Sequence, residues 1–210
     1  MKIAILGAGH VGTVVARLAA AAGFEVAVAA SGGPEEIALT MQVLAPGAEA
    51  RWAADAVAGA AIVVLAIPLH RFERLDPDLL AGKVVVDMMN YWPAVNGHLG
   101  SFDSSALGSS EIVARRLSRA TVVKTLNHLG YHQLDEESRP AGVRDRRALA
   151  LAGDDPVAVE LVANFIDGIG FDPIRLGSLQ AGRVLEPDGP VFGRPLSRAE
   201  FDEALGAVAA

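Results

Sequence analysis

Seven short, mostly apolar runs recur along the chain, with longer segments of helical character between them. The runs span residues 2–6, 25–29, 61–67, 83–87, 121–124, 148–152 and 172–176. Most of them do not alternate with polar residues, which is typical of strands buried on both faces. Helices are predicted between the runs at residues 11–22, 34–44, 110–117 and 156–169. The pattern therefore predicts an α/β fold: a Rossmann-type, doubly wound, mostly parallel sheet with helices on both faces.

The length of 210 residues fits one large domain. We expect a single domain over residues 1–210, in which residues 125–210 form a small C-terminal extension that shapes the substrate site. Residues 131–147 show no clear periodicity and are expected to form a long irregular loop. Because long loops inside compact domains are often functional, this segment is expected to cover the site.

The charge balance and the lack of cysteine exclude several kinds of function. With 25 acidic and 18 basic residues the chain carries a formal charge of −7, which disfavours nucleic acid and anionic membranes as partners. The absence of cysteine excludes disulfides, thiolate nucleophiles and cysteine-ligated metal sites, and we expect no metal. The longest apolar run, residues 60–69, is too short to span a membrane. We therefore expect a cytoplasmic protein that acts on a small molecule. We also expect the protein to be a homodimer.

A glycine fingerprint follows the first predicted strand and opens the first predicted helix. Its residues, which fit the pattern G-x-G-x-x-G, are Gly7, Ala8, Gly9, His10, Val11 and Gly12. In this pattern the first glycine permits a tight turn, the second lets the backbone approach a pyrophosphate, and the third lets helix pack on strand. The helix N-terminus then supplies unpaired N–H groups for the anion. This context predicts that a dinucleotide binds here.

The end of the second strand decides between the two nicotinamide dinucleotides. An acidic residue there would bind the ribose hydroxyls of NAD, but the strand is followed by Ser31, Gly32 and Gly33. A hydroxyl and two glycine amides can hold a 2′-phosphate, so NADP(H) is favoured. NAD(H) stays open, because no arginine follows Ser31 and because Glu35 and Glu36 lie close by.

Two polar and aromatic segments leave the carboxyl ends of later strands, where ligands bind in open α/β sheets. Asn90 and Asn127 can hydrogen-bond a carboxamide or ring carbonyl, and Tyr91 and Trp92 can stack on a flat heterocycle. His128 or His132 can exchange a proton with solvent, and Asn127 and His128 are the candidate catalytic residues. The alternative is that the aromatic residues cap the core and the histidines are ordinary loop residues.

Several motifs together resemble the NADPH-dependent reductases of the deazaflavin coenzyme F420, within the F420-dependent NADP oxidoreductase family. They lie at residues 7–12, 31, 64–68, 122–127, 152–155 and 177–179, with Arg183 and Glu186 near the end. The resemblance implies hydride transfer between NADPH and the deazaflavin on a Rossmann core. It also implies that the nicotinamide end of the dinucleotide is held by Ala66, Ile67, Pro68 and His70, with Asn90 beside it. The phosphate and glutamate tail of the deazaflavin would then meet arginines of the 131–147 segment, notably Arg144 and Arg146.

Hydride transfer between two bound rings needs only that the rings be held close and aligned, so no catalytic triad is expected. The alternative from another class is a non-catalytic NADP(H)-binding redox sensor. A cavity enclosed by the aromatic and Asn/His segments would favour the enzyme over the sensor.

Overall fold

The computed structural model describes residues 1–103 and 105–209. Its strands, in chain order, are β1 (Lys2–Leu6), β2 (Glu25–Ala29), β3 (Ala48–Ala50), β4 (Ile62–Leu65), β5 (Val84–Asp87), β6 (Thr121–Lys124), β7 (Ala148–Gly153) and β8 (Asp172–Arg175). They form one sheet in the order β3-β2-β1-β4-β5-β6-β7-β8. All neighbouring strands are parallel except β6 and β7. The predicted doubly wound, mostly parallel sheet is confirmed.

Helices connect the strands on both faces of the sheet. They are α1 (His10–Ala21), α2 (Pro34–Leu44), α3 (Ala53–Val57), α4 (Leu69–Phe72), α5 (Pro93–Asn96), α6 (Gly100–Asp103), α7 (Ser109–Arg116), α8 (Tyr131–Glu137), α9 (Pro156–Gly168) and α10 (Arg198–Ala209). Two 3₁₀ segments, Pro77–Leu80 and Leu179–Leu185, complete the set. Within the described part of the chain, no helix is long and apolar enough to cross a membrane.

The core has two large layers, one on each face of the sheet. One layer packs α1 and α9 against side chains such as Ile3, Val28 and Val86, and the other packs α3 and α7 against side chains such as Ala4, Val63 and Val85. Consecutive residues of each strand thus point into opposite layers, which is why the strands are apolar without alternation.

The antiparallel pairing of β6 and β7 determines where the C-terminal extension lies. Val123 pairs with Gly153 and Lys124 with Ala152, so β7 begins beyond the carboxyl end of β6. The start of β7 therefore lies at the edge where ligands are expected. Whether residues 1–210 act as one domain with 125–210 as its extension stays a prediction.

The expectation of an irregular 131–147 segment was wrong over its first half, because Tyr131–Glu137 is helix α8. Gln133 accepts a hydrogen bond from the Gly130 amide, which caps this helix, and Leu134 is fully buried. Arg17 of α1 also pairs with Asp135. Packing on α1 thus stabilises a helix too short to show a clear apolar period.

Candidate active site

The carboxyl ends of β1, β4, β5 and β6 lie side by side and carry most of the expected site residues. At the first of them the glycine fingerprint makes a turn that only glycine permits. Gly7 has a φ of 124°, and a Cβ atom there would lie 2.2 Å from the carbonyl oxygen of Ala66. A Cβ on Gly12 would lie 2.0 Å from the carbonyl oxygen of Gly7. These two glycines let β1, β4 and α1 pack closely.

Gly9 differs, because a Cβ atom there would meet nothing within 4 Å. Gly9 is the N-cap of α1, and no side chain caps this helix or places a negative charge in its first turn. The first amides of α1, from His10 onward, have no partner within the helix. An open space in front of unpaired amides fits a pyrophosphate, so the residues present fit the dinucleotide at this point.

The β2–α2 loop fits a 2′-phosphate less well than the sequence predicts. The Gly33 amide donates to Glu36 Oε1 at 3.3 Å, and a Cβ on Gly32 would lie 2.2 Å from the same oxygen. A Cβ on Gly33 would lie 2.0 Å from Glu35 Oε1. The Gly33 amide is therefore already bonded, and two carboxylates lie over the loop. Ser31 is exposed, so its hydroxyl can still donate to a phosphate.

At the end of β4, Ala66 and Ile67 are partly buried against the glycine turn, and Pro68 and His70 are exposed beyond them. Ala66 donates its amide to the Leu6 carbonyl at 2.9 Å, which fixes this end beside β1. The four residues are thus brought next to the glycine fingerprint.

Asn90 and Asn127 form a reciprocal pair across the ends of β5 and β6. Asn90 Nδ2 donates to the Asn127 carbonyl at 2.8 Å, and Asn127 Nδ2 donates to Asn90 Oδ1 at 2.9 Å. Asn127 Nδ2 also donates to the Leu185 carbonyl at 2.6 Å. Asn127 is 4% exposed, and within the described chain its Oδ1 atom accepts no hydrogen bond. A buried amide oxygen without a donor is unfavourable, so Oδ1 of Asn127 is the atom of this pair whose hydrogen-bonding capacity the described protein groups leave unused.

The expectation that His128 exchanges a proton with solvent was wrong. Its side chain is 1% exposed and packs edge-on against Phe201 of α10. Its Nε2 atom accepts from the Ala150 amide at 3.4 Å. Burial, and then the positive charge of Lys124, lowers the pKa of His128 to about 3. The ring is therefore neutral and belongs to the core of the extension.

Tyr91 is partly buried and packs against the core, as the alternative predicts, whereas Trp92 is exposed. Tyr91 stacks on Phe102 at 5.5 Å between ring centres and donates a hydrogen bond to Asp103. This hydrogen bond raises the pKa of Tyr91 and lowers the pKa of Asp103. Trp92 is 44% exposed and meets Phe192 edge-on.

A cavity of about 370 Å³ lies beside Tyr91. Its other walls are Pro93, Arg183, Val184 and residues 186–190. We call residues 186–193 the strap, because this segment runs from the cavity to the end of β6, where the Gly193 amide donates to the His128 carbonyl at 2.8 Å. Of the aromatic and Asn/His segments, Tyr91 lines this cavity but Asn90, Trp92, Asn127 and His128 do not, so it is not the cavity enclosed by both segments that would favour an enzyme over a redox sensor.

Beneath the cavity lies a buried polar network that was not expected from the sequence. Lys124 Nζ donates to the Met89 carbonyl at 2.6 Å and lies 3.6 Å from Asp87 Oδ2. Ser109 donates its amide and its hydroxyl to Glu186 Oε1, at 2.7 and 2.8 Å. The network joins the ends of β5 and β6 to α7 and to the strap. The sequence signal for this network is a charged residue at the end of a mostly apolar strand, Asp87 in β5 and Lys124 in β6.

The start of the 131–147 segment lies beside the glycine fingerprint, and no residue of the segment lines the cavity. The Tyr131 ring is 5.1 Å from that of His10 and 3.9 Å from that of exposed His132. Arg144 is exposed, whereas Arg146 is bonded to the side chain and carbonyl of Asp167 at 2.5 Å each. The guanidinium of Arg146 is thus already bound within the protein.

Comparison with known proteins agrees with this geometry. Residues 2–91 match the family described as NADP oxidoreductase, coenzyme F420-dependent. The hypothetical protein SMa0349 of Sinorhizobium meliloti superposes with a TM-score of 0.80 and 28% identity, over 94% of this chain and 96% of that one. A protein of Arthrobacter sp. FB24, provisionally named an F420-dependent NADP reductase, superposes with a TM-score of 0.70 and 27% identity, over 100% of this chain and 96% of that one.

The rat metalloreductase STEAP3 is 30% identical over 188 residues, which are 88% of this chain and 36% of the relative. This chain therefore spans about a third of that protein's length. The family match over residues 2–91 contains the glycine fingerprint, the β2–α2 loop and the ends of β4 and β5. The similarity to the F420-dependent NADP oxidoreductase family is thus carried by residues 2–91.

Proposed function

We propose that the protein transfers a hydride between NADP(H) and a flat heterocyclic acceptor, and that this acceptor is the deazaflavin coenzyme F420. NADP(H) supplies or accepts the hydride at its nicotinamide ring. The observation that carries the proposal is the continuity of the site. An open glycine turn suited to an anion, a buried asparagine pair and a cavity beside Tyr91 follow one another along the carboxyl ends of the strands.

Each part of this edge has a separate task. The first amides of α1 bind the pyrophosphate, and the residues that follow β4 hold the nicotinamide ribose. Asn90 and Asn127 hold each other, so the unpartnered Oδ1 of Asn127 is fixed in position to accept an N–H group. Tyr91 and the strap form the cavity for the acceptor ring.

Proton transfer to the acceptor does not involve His128, because that ring is buried and neutral. His132 is exposed next to Tyr131 and remains the histidine that can exchange a proton with solvent. Arg146 is bound to Asp167, and cavity-lining Arg183 is bound to Glu111 and to the Ala106 carbonyl, so exposed Arg144 is the arginine of these three that we assign to an anionic tail of the acceptor.

F420 is proposed as the acceptor because the family's description names it and because Tyr91, in the wall of the cavity, can stack on its flat ring. STEAP3 is a metalloreductase by name, so a metal chelate is a second acceptor to test. Within residues 1–103 and 105–209, no cluster of three or more His, Asp and Glu side chains could hold a metal ion. A cytoplasmic location and a homodimer stay predictions.

The test is an acceptor panel under identical conditions. Purified protein is mixed with NADPH and, in separate reactions, with F420, FMN, a quinone and a ferric chelate, and NADPH oxidation is followed by absorbance. We expect turnover with F420 and at least tenfold slower turnover with the other three (about 1.4 kcal/mol in the barrier). Binding of NADPH without turnover of any acceptor would favour a redox sensor.

A further inference from the structure

The β2–α2 loop contains no lysine or arginine over residues 30–36. A 2′-phosphate placed there would face Ser31 together with the carboxylates of Glu35 and Glu36. Two negative charges beside a phosphate are unfavourable unless a cation comes from elsewhere in the fold. A positive charge on a neighbouring element would offset these carboxylates.

The neighbouring strand β3 carries such a cation at its carboxyl end. β3 runs parallel to β2, with Ala50 opposite Val28, and the Arg51 amide donates to the Val28 carbonyl at 2.9 Å. Arg51 is therefore level with Ala29, two positions before Ser31. Adjacent strands are about 4.8 Å apart, so a long arginine side chain can reach the loop.

The present partner of Arg51 is easily exchanged. Its Nε and Nη2 atoms donate to Glu49 Oε2 at 3.0 and 2.6 Å. The side chains are 55% and 64% exposed, and ion pairs in such positions contribute little to stability. A phosphate carries more charge than a carboxylate and offers more acceptor oxygens for the planar guanidinium.

We propose that Arg51 is the residue that selects the 2′-phosphorylated dinucleotide. On binding, its guanidinium leaves Glu49 for the 2′-phosphate, and the Ser31 hydroxyl donates the second hydrogen bond. The inference rests on the proposed function, since it concerns the same dinucleotide site. Glu35 and Glu36 oppose the phosphate, and Arg51 supplies the positive charge that residues 30–36 do not contain.

The test measures the affinities of NADPH and NADH by titration calorimetry for the parent, Arg51→Gln and Arg119→Gln. Arg119 is a matched control, since it is an exposed arginine paired with Asp78. It precedes β6 and so lies at the amino ends of the parallel strands, away from the β2–α2 loop. We expect Arg51→Gln to weaken NADPH by about tenfold or more and NADH by less than about twofold, because one charge-assisted contact is lost. Arg119→Gln should change neither affinity.

A second variant tests the exchange itself. Glu49→Gln removes the competing carboxylate and should strengthen NADPH binding without changing NADH binding. If the parent binds NADPH and Arg51→Gln binds it equally well, this inference is overturned while the proposed function stands. If the parent binds neither nucleotide, the proposed function is overturned as well.

Discussion

At single positions, Gly7 and Gly9 show two different reasons for a glycine in one loop. Gly7 has a positive φ and no room for a Cβ atom, so its replacement would disturb the fold itself. Gly9 has an ordinary extended conformation, with φ of −79° and ψ of −174°, and open space in front of it. The fold itself does not require glycine at position 9, and a glycine there leaves the space in front of the α1 amides open for a ligand.

Gly9→Val is therefore expected to fold normally and to bind the dinucleotide poorly. The valine side chain would occupy the space that the pyrophosphate needs, and NADPH affinity should fall by about tenfold or more, with an unchanged Tm. Gly206→Val, on the surface of α10 with nothing within 4 Å, is the control for a general effect of valine. Unchanged NADPH affinity in Gly9→Val would remove the dinucleotide from this loop.

Glu36→Gln tests the charge over the β2–α2 loop. Glutamine still accepts the Gly33 amide hydrogen bond, so the N-terminus of α2 stays capped while the negative charge is lost. We expect NADPH affinity to rise severalfold and NADH affinity to stay the same, measured by calorimetry at low and high salt. An equal change for both nucleotides would place the 2′-phosphate away from this carboxylate.

Among the elements, the network around Lys124 joins β5, β6, α7 and the strap. Lys124 and Asp87 are both fully buried, and Ser110 donates to Asp87 Oδ2 at 2.5 Å while the Met89 amide donates to Oδ1 at 2.9 Å. Burial of two charges is tolerated because nearly every donor and acceptor is satisfied. The network thereby fixes the segment that carries Asn90 and Tyr91.

Lys124→Met should be strongly destabilising, because it leaves the Asp87 carboxylate buried without its cation. We expect a loss of roughly 3–5 kcal/mol in the free energy of unfolding, measured by urea titration. The double variant Lys124→Met/Asp87→Asn removes both charges and should recover part of the loss. A loss below about 1 kcal/mol in the single variant would show that the pair contributes little.

Much of the secondary structure could be predicted because continuous apolar strands and N-terminal helix signals are local. The helix at Pro34–Leu44, with proline first and two acids in its first turn, has the predicted bounds. Strand β3 was missed because it has only three residues at the edge of the sheet. Helix α8 and the Lys124 network were missed because they depend on contacts with distant parts of the chain.

For the site, motif and position predicted which residues gather at the carboxyl edge, but not their state. His128 follows Asn127 directly, yet the two side chains have different surroundings, since one is held by Asn90 and the other lies against Phe201. Sequence gives their order along the chain and not their burial. The same limit applies to Arg146, whose partner Asp167 is at the end of α9.

On the scale of the whole molecule, the extension completes the site by packing against it. Leu185 and the strap contact the ends of β5 and β6, and His128 is buried under α10. Unfolding would expose His128 to water, where its pKa returns to about 6.5. The folded protein thus binds fewer protons than the unfolded chain between pH 6.5 and about 3.

The stability that comes from neutral His128 is complete above pH 6.5 and is lost as the pH falls toward 3. Between pH 7 and pH 5 this one group should lower the free energy of unfolding by about 2 kcal/mol. His128→Gln keeps an acceptor for the Ala150 amide and removes the titration, so its stability should fall less over this range. Parallel pH profiles for the parent and the variant, from urea unfolding, would contradict the burial of His128.

The central claim, direct hydride transfer from NADPH to a deazaflavin held beside it, is tested most directly by isotope transfer. The protein is mixed with NADPH deuterated at the nicotinamide C4 and with oxidised F420, and the reduced deazaflavin is analysed by mass spectrometry. The reaction takes up one proton, oxidises one NADPH and reduces one F420. We expect equimolar products, with deuterium in the reduced deazaflavin from one of the two C4 epimers of NADPH. Reduced F420 without deuterium from either epimer, or no reduced F420 at all, would contradict the claim.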